Sequence, residues 1–209
     1  MKNYPSIPVF TPGFDRRAAY HVFDKLDGSN LRAEWSPKQG FYKFGTRTRL
    51  LGTDQPALWP AKAKFLASHA DALDARFRAA RLQRALAFFE YVGPNSFAGS
   101  HTDPEDQMSV VLFDIAVHQK GLLEPAAFLA MAEDLPHAKL LHHGPLDEDL
   151  IQAVRSGQLP GMTFEGVVVK GAFERKLGGP VQFKIKNQAW LARLKAVCGD
   201  DEALFERLS

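Results

Sequence analysis

Apolar and polar positions along this chain predict a succession of short strands and a few helices. Tyr4 to Phe10, interrupted by Pro5 and Pro8, reads as an extended entry segment. Ala18 to Phe23 has the length and apolar content of a strand, and Asn30 to Trp35 reads as its return strand across an Asp27-Gly28 hairpin turn. Phe41-Tyr42-Lys43-Phe44 is a further, aromatic strand. From Pro60 to about Arg84 the pattern turns helical, with Phe65, Leu66, His69, Leu73, Phe77 and Ala80 near helical spacing. Leu86 to Val92 and Val110 to Val117 are apolar strands. Glu124 to Leu135 is a helix, Leu140 to His143 a short strand, and Asp147 to Ser156 a helix with acid at its start. Phe164 to Lys170 is a β-branched strand, and Gln182 to Lys186 is one of strict alternation. Asn187 to Val197 closes as a helix, and Leu204 to Leu208 packs as a tail. The pattern is that of an α+β fold.

Charges planted inside those apolar strands change the picture. Glu90, Asp114, Glu165, Lys184 and Lys186 all interrupt strand patterns. A buried charge costs several kcal/mol unless paired or solvated. One such residue reads as a structural ion pair or an edge strand; five read as strands lining a polar pocket. Lys184 and Lys186 share a face, because strand side chains repeat every two residues. Acids together bind a hard cation such as Mg²⁺, and clustered Lys and Arg bind phosphate. A pocket with both suits a metal–nucleoside triphosphate. No Walker A loop and no Gly-x-Gly-x-x-Gly occurs, so side chains must hold the phosphates.

The stretch Lys25-Leu26-Asp27-Gly28-Ser29-Asn30 adds a nucleophile to that pocket. A strand that ends there presents one amine at the pocket lip. A free lysine has a pKa of about 10.4, so reaching the neutral amine at pH 7 costs about 4.6 kcal/mol. Neighbouring cations and burial lower that cost.

Composition narrows the class further. The chain has 209 residues, 45% hydrophobic and 24% charged, enough for one large domain spanning 1–209 with a real core. A formal net charge of +2 and a pI near 8.6 are too mild to assert nucleic-acid binding from charge alone. The single cysteine, Cys198, excludes an internal disulfide and a Cys-based zinc cluster and suits a reducing cytoplasm. The N-terminus carries no apolar signal region, and no run is long enough to span a bilayer, so a cytoplasmic protein without a membrane partner is expected.

Taken together, the motifs resemble those of the covalent nucleotidyltransferases, which comprise polynucleotide ligases and mRNA capping enzymes. Lys25-Leu-Asp-Gly-Ser-Asn30 looks like motif I and Phe89-Glu90-Tyr-Val-Gly93 like motif III. Leu112-Phe113-Asp114-Ile115 looks like motif IIIa, Glu165-Gly-Val-Val-Val-Lys170 like motif IV, and Lys184-Ile-Lys186 like motif V. They stand in the family's order from about residue 20 to 187. The closest likeness is to ATP-dependent RNA ligases of the phage nick-sealing type, reduced to the adenylyltransferase domain. Asn30 stands where DNA ligases and capping enzymes typically have Arg. The residues after Lys186 are too few for the OB-fold those enzymes need.

The resemblance implies an ATP-grasp-like ligase domain, with mainly antiparallel sheets forming an ATP pocket, flanking helices and no OB-fold. It implies ATP and Mg²⁺ or Mn²⁺ as cofactors. Lys25 would carry AMP, with Asp24 and Asp27 beside it in the cofactor-binding set. Glu90 would contact the ribose and share metal duty with Glu165. Phe113, or the apolar position at Val110, would pack on adenine. Lys184 and Lys186 would hold phosphates. Asn30 and Arg47, with Arg49 as rival to Arg47, would handle the AMP phosphate and RNA ends. The implied reaction joins RNA 3′-OH and 5′-phosphate ends through lysyl-AMP and an adenylated 5′ end. The C-terminal RNA-binding domain of nick-sealing ligases has no counterpart here, which implies a minimal ligase or a separate RNA-binding partner. The alternatives are a DNA ligase, a GTP-using capping-type enzyme, or a nucleotide- or RNA-end-binding module without full turnover.

Other features have plainer readings. His101, His142 and His143 lack a third ligand at a telling spacing and read as surface or turn residues. The arginines after Arg76 read as a solvated helix face. Trp35, Trp59 and Trp190 read as core or rim packing, and Cys198 as a small buried apolar residue.

Overall fold

The strand and helix patterns resolve, in a computed structural model, into two antiparallel sheets with helices packed on them. The structure describes residues 1–15, 17–52, 58–174 and 179–209. Its contacts divide into two compact units. The first holds residues 1–5 and 28–137, with 173–174 and 179–180; the second holds 6–27, 138–172 and 181–209.

In the first unit, β2 (Ser29–Ser36), β3 (Gly40–Thr46), β4 (Ala85–Val92), β5 (Ser109–Val117) and β6 (Gly121–Leu122) form a sheet in the order β3-β2-β4-β5-β6. Alternation along β2 gives the sheet two unlike faces. Leu31, Ala33 and Trp35 are fully buried. Their face meets the helical segment, where Trp35 packs edge-on to Phe77 at 5.3 Å and Phe89 stacks on Phe65 at 4.5 Å. The other face carries Asn30, Arg32 and Glu34, aligned with Glu90, Phe88 and Leu86 of β4.

The helix expected from Pro60 to Arg84 is instead three pieces. α1 (Trp59–Phe65) runs through one π-helical turn, Leu66–Ala70, into α2 (Asp71–Ala79). The chain leaves the helix at Ala80, and Arg81 takes a left-handed φ of 53°. The wider turn places His69 inward, 1% exposed, with Nε2 donating to the Pro136 carbonyl at 2.8 Å. α3 (Pro125–Ala132) completes this unit, shorter than the expected Glu124–Leu135 because Glu133 is already extended-like at ψ 135°.

In the second unit, β1 (Tyr20–Asp24), β7 (Leu140–Gly144), β8 (Gly166–Glu174) and β9 (Gly179–Lys186) form the sheet β7-β1-β8-β9. Val22, Val167, Val169 and Ile185 form its core with Ile151 and Val154 of α4 (Glu148–Arg155). α5 (Gln188–Cys198) and α6 (Glu202–Leu208) follow, and Cys198 is buried as expected.

The pairing corrects one expectation. β1 and β2 are not a hairpin: β1 pairs with β7 and β8, and β2 pairs with β3 and β4. The Asp-Gly step therefore hands the chain from one sheet to the other. Gly28 is required there by close approach, because a Cβ would meet the Tyr91 carbonyl and the Glu90 side chain. A local turn signal cannot distinguish these outcomes; long-range pairing decides.

His69 makes the first unit acid-sensitive. Burial pushes its imidazole below the usual histidine range, the Pro136 hydrogen bond opposes this, and nearby His137 adds to it. Above the ordinary value of about 6.5, His69 is neutral in both states and contributes nothing to the pH dependence. As pH falls through that value the unfolded chain takes up a proton that the folded chain refuses, so stability drops. His69→Gln is expected to flatten the loss of urea-denaturation free energy between pH ~6.5 and ~5. Parallel slopes for the two proteins would remove His69 from the acid response.

Candidate active site

Glu165 stands at the entry of β8, and its carboxylate takes two ammonium groups. Lys25 Nζ donates to Oε2 at 2.7 Å, and Lys186 Nζ donates to Oε1. Backbone contacts fix all three. Lys25 N donates to the Gly166 carbonyl at 3.0 Å, tying the end of β1 to the start of β8. Asn187 N donates to the Glu165 carbonyl at 3.1 Å, and its Nδ2 donates to the Phe164 carbonyl at 3.1 Å. Asn187 also caps α5, accepting from Ala189 N at 2.9 Å. Gly166, at φ 133°, lets β8 pass so close to Ile185 and Lys186 that no Cβ would fit.

The electrostatics follow from burial. Glu165 is 4% exposed and Lys186 is 7% exposed. Burial is the largest influence on Lys186 and pushes its ammonium down to about 8, with Lys25 and Lys184 adding to the fall and Glu165 opposing it. Lys186 also lies over the Trp190 ring, 3.8 Å from its centroid. Burial raises the Asp24 carboxyl above its ordinary range, and Glu165 adds to the rise. Hydrogen bonds from Thr163 N and Oγ1, at 2.9 and 3.1 Å, oppose it. Asp27 accepts from Trp190 Nε1 at 2.6 Å.

The second unit thus brings together Asp24, Lys25, Asp27, Glu165 and Lys186. Lys184 is treated differently: its Nζ donates to the Ser209 carbonyl oxygen at 2.8 Å. In the first unit Asn30 and Glu90 stand opposite each other on β2 and β4, and Val111 continues the row. Asn30 Oδ1 is buried with no hydrogen-bond partner. Phe113 is half-buried, edge-on to Tyr4 at 5.1 Å, beside a register shift of β5. Val110, the rival to Phe113, pairs with Tyr91 and is 4% exposed. Alternation puts it on the face opposite Glu90. Arg47 and Arg49 are both exposed.

Asp114 corrects the idea that every strand charge faces a pocket. It is fully buried, and it accepts from the Tyr4 hydroxyl at 2.9 Å and from Ile115 N at 3.0 Å. Its role is structural, joining the N-terminal segment to β5. His101 bridges Ser29 and Ser96 at 2.8 and 2.9 Å, the turn role expected of it. Asn187 was not singled out in the sequence, although an Asn directly before a helical pattern is a cap signal. Trp190 reads as packing by sequence and is fully buried, yet its ring and N–H both touch charged groups of the site.

No cluster of three or more His, Cys, Asp or Glu able to hold a metal exists among the described residues. Mg²⁺ is held through one or two carboxylates, with substrate phosphate oxygens and water completing six positions. Glu165, as a single carboxylate, fits a metal that arrives with a phosphate substrate.

Comparisons with known proteins bear on the family and the fold. Residues 18–196 match the family described as RNA ligase. The chain belongs to the RNA ligase family and has its α+β nucleotidyltransferase fold. Among solved structures, an archaeal ATP-dependent RNA ligase matches at TM-score 0.67 and 19% identity, covering 95% of this chain and 52% of that one. A Naegleria gruberi RNA ligase variant solved with AMP and manganese matches at TM-score 0.59 and 18% identity, covering 85% and 52%. Another Naegleria variant, solved with ATP and manganese, gives TM-score 0.59, 18% identity and coverage of 85% and 52%. The chain spans about half the length of these proteins. No curated protein matches the sequence. No helix among the described residues is long and apolar enough to cross a membrane.

Glu165 accepts from both ammoniums, so its neutralisation is costly. Breaking a buried ion pair from one side typically costs about 3–5 kcal/mol. Glu165→Gln is therefore expected to lower Tm by roughly 6 °C or more in a chain of this size. Differential scanning calorimetry reads this directly. A Tm within about 2 °C of wild type would show that the two lysines do not depend on its charge.

Proposed function

We propose that this chain is the adenylation module of an ATP-dependent RNA ligase, with Lys25 as the nucleotide-carrying residue. The observation that carries the reading is the Lys25–Glu165–Lys186 arrangement in a chain of the RNA ligase family. Lys25 Nζ attacks the α-phosphorus of ATP. An N–P bond forms, the bond to the β-phosphate breaks, and pyrophosphate leaves. Glu165 Oε2, 2.7 Å from Nζ, stands to take the ammonium proton before attack, and the second N–H proton passes to solvent as pyrophosphate leaves. Lys186 and Lys184 hold phosphate charge, and Lys186 is charged below pH of about 8.

Within the first unit, the resemblance assigns Glu90 to the ribose and Phe113 to the base, and Asn30 carries a buried Oδ1 open to a donor. Arg47 meets the AMP phosphate or the RNA end. Mg²⁺ or Mn²⁺, when bound through Glu165, neutralises charge on the transferring phosphoryl group. AMP then passes to a 5′-phosphate end, and a 3′-hydroxyl displaces it to seal the RNA. Residues 1–209 act as one adenylation domain in this reading, in the cytoplasm. RNA with 5′-phosphate and 3′-OH ends is the substrate in this reading, held together with a separate RNA-binding partner.

The deciding experiment is intact mass after incubation with ATP and Mg²⁺, beside Lys25→Ala. The expected result is a gain of one AMP in the wild type, lost with Lys25→Ala and with EDTA. GTP in place of ATP separates a capping-type enzyme from a ligase. Protein that starts free of AMP and gains no nucleotide from either triphosphate would leave a binding module and sink the enzymatic reading.

A further inference from the structure

Trp190 lies outside the motifs that carry the resemblance, yet it touches two of them. Its indole is fully buried in the first turn of α5. The ring face lies under the Lys186 ammonium, 3.8 Å from Nζ to centroid. The edge N–H donates to Asp27 Oδ2 at 2.6 Å. One rigid side chain therefore bridges the lysine that ends β9 and the acid two residues beyond Lys25.

We infer that Trp190 is a positioning residue for the adenylation step: its ring aims Lys186 and its N–H anchors the loop that carries Lys25. The inference rests on the proposed function for its chemical meaning and on geometry alone for its structure. An ammonium on a long flexible stem has three rotatable donors and no fixed direction. Glu165 fixes Lys186 on one side, and the Trp190 face fixes it on another through the ring quadrupole. The indole has two χ angles and is held by packing, so it holds position at small entropic cost. The Asp27 bond acts at the opposite end of the same ring. It ties the Lys25–Asp27 loop to α5, whose cap Asn187 also binds the backbone at Phe164 and Glu165. Nucleophile, bridging acid and phosphate-holding lysine thus share α5 as a common reference, which near-attack geometry demands.

The arrangement has a signature independent of activity. Protons on the Lys186 side chain over an indole face resonate upfield through ring current. In the full chain labelled with ¹³C-lysine, one Cε signal is expected upfield of the others and absent in Lys186→Arg. It should persist in Trp190→Phe, which keeps an aromatic face, and vanish in Trp190→Leu. An unshifted Lys186 signal in the wild type overturns the inference without any Trp190 variant.

Single-turnover formation of lysyl-AMP tests the consequence. Trp190→Leu is expected to be slower by about tenfold or more, with a raised KM for ATP, as loss of the ring contact predicts. Trp190→Phe should regain most of the KM while keeping a loss of about threefold in kcat from the missing Asp27 bond. A Trp190→Leu protein that melts like wild type and adenylates with unchanged kcat and KM overturns the inference. If that variant does not fold, Trp190→Phe decides: a rate equal to wild type overturns the anchoring of Asp27, and a slower kcat supports it. Absence of any adduct in the wild type would sink the ligase reading, while the lysine spectrum still decides whether Trp190 holds Lys186.

Discussion

The second unit depends on a carboxylate that accepts from two lysines in a place with little water. Glu165 is 4% exposed and accepts from both ammoniums, and removing either side of such a buried pair leaves an uncompensated charge. That pairing requires the backbone to bring β1, β8 and β9 within side-chain reach. Gly166 and the Asn187 cap do this, through a close strand crossing and three hydrogen bonds to the 164–165 segment and the first turn of α5. The site is thus expensive to assemble and rigid once assembled, as a group-transfer centre requires.

The same network holds Lys25, whose Nζ donates to Glu165 Oε2 at 2.7 Å. Lys186 donates to the other oxygen of the same carboxylate, so the two lysines share one acceptor.

The first unit works by a different constraint. Its β-sheet buries Leu31, Ala33 and Trp35 on one face and carries Asn30, Arg32, Glu34 and Glu90, with Phe88 among them, on the other. Strand alternation alone creates that division, and the closeness of Gly28 to the Tyr91 carbonyl sets where the face begins. Asp114 shows how a charge can join a strand without serving a site, since the Tyr4 hydroxyl and Ile115 N satisfy it internally.

By itself the sequence determined the local elements and offered the candidates for chemistry-bearing residues. Apolar alternation marked nearly every strand, the motif order singled out Lys25, Glu165 and Lys186, and the Asn187–Val197 helix emerged almost to its ends. These are legible because side-chain periodicity and motif spacing are local properties. What only the tertiary structure decided was long-range. It sent β1 and β2 to different sheets, broke the Pro60–Arg84 helix with a π-turn that buries His69, and placed Val110 on the core face. It also gave Trp190, by sequence an ordinary core aromatic, an ammonium on its face and a carboxylate at its edge. Such outcomes depend on which distant segments meet, and sequence separation hides this until packing and hydrogen bonding choose the partners.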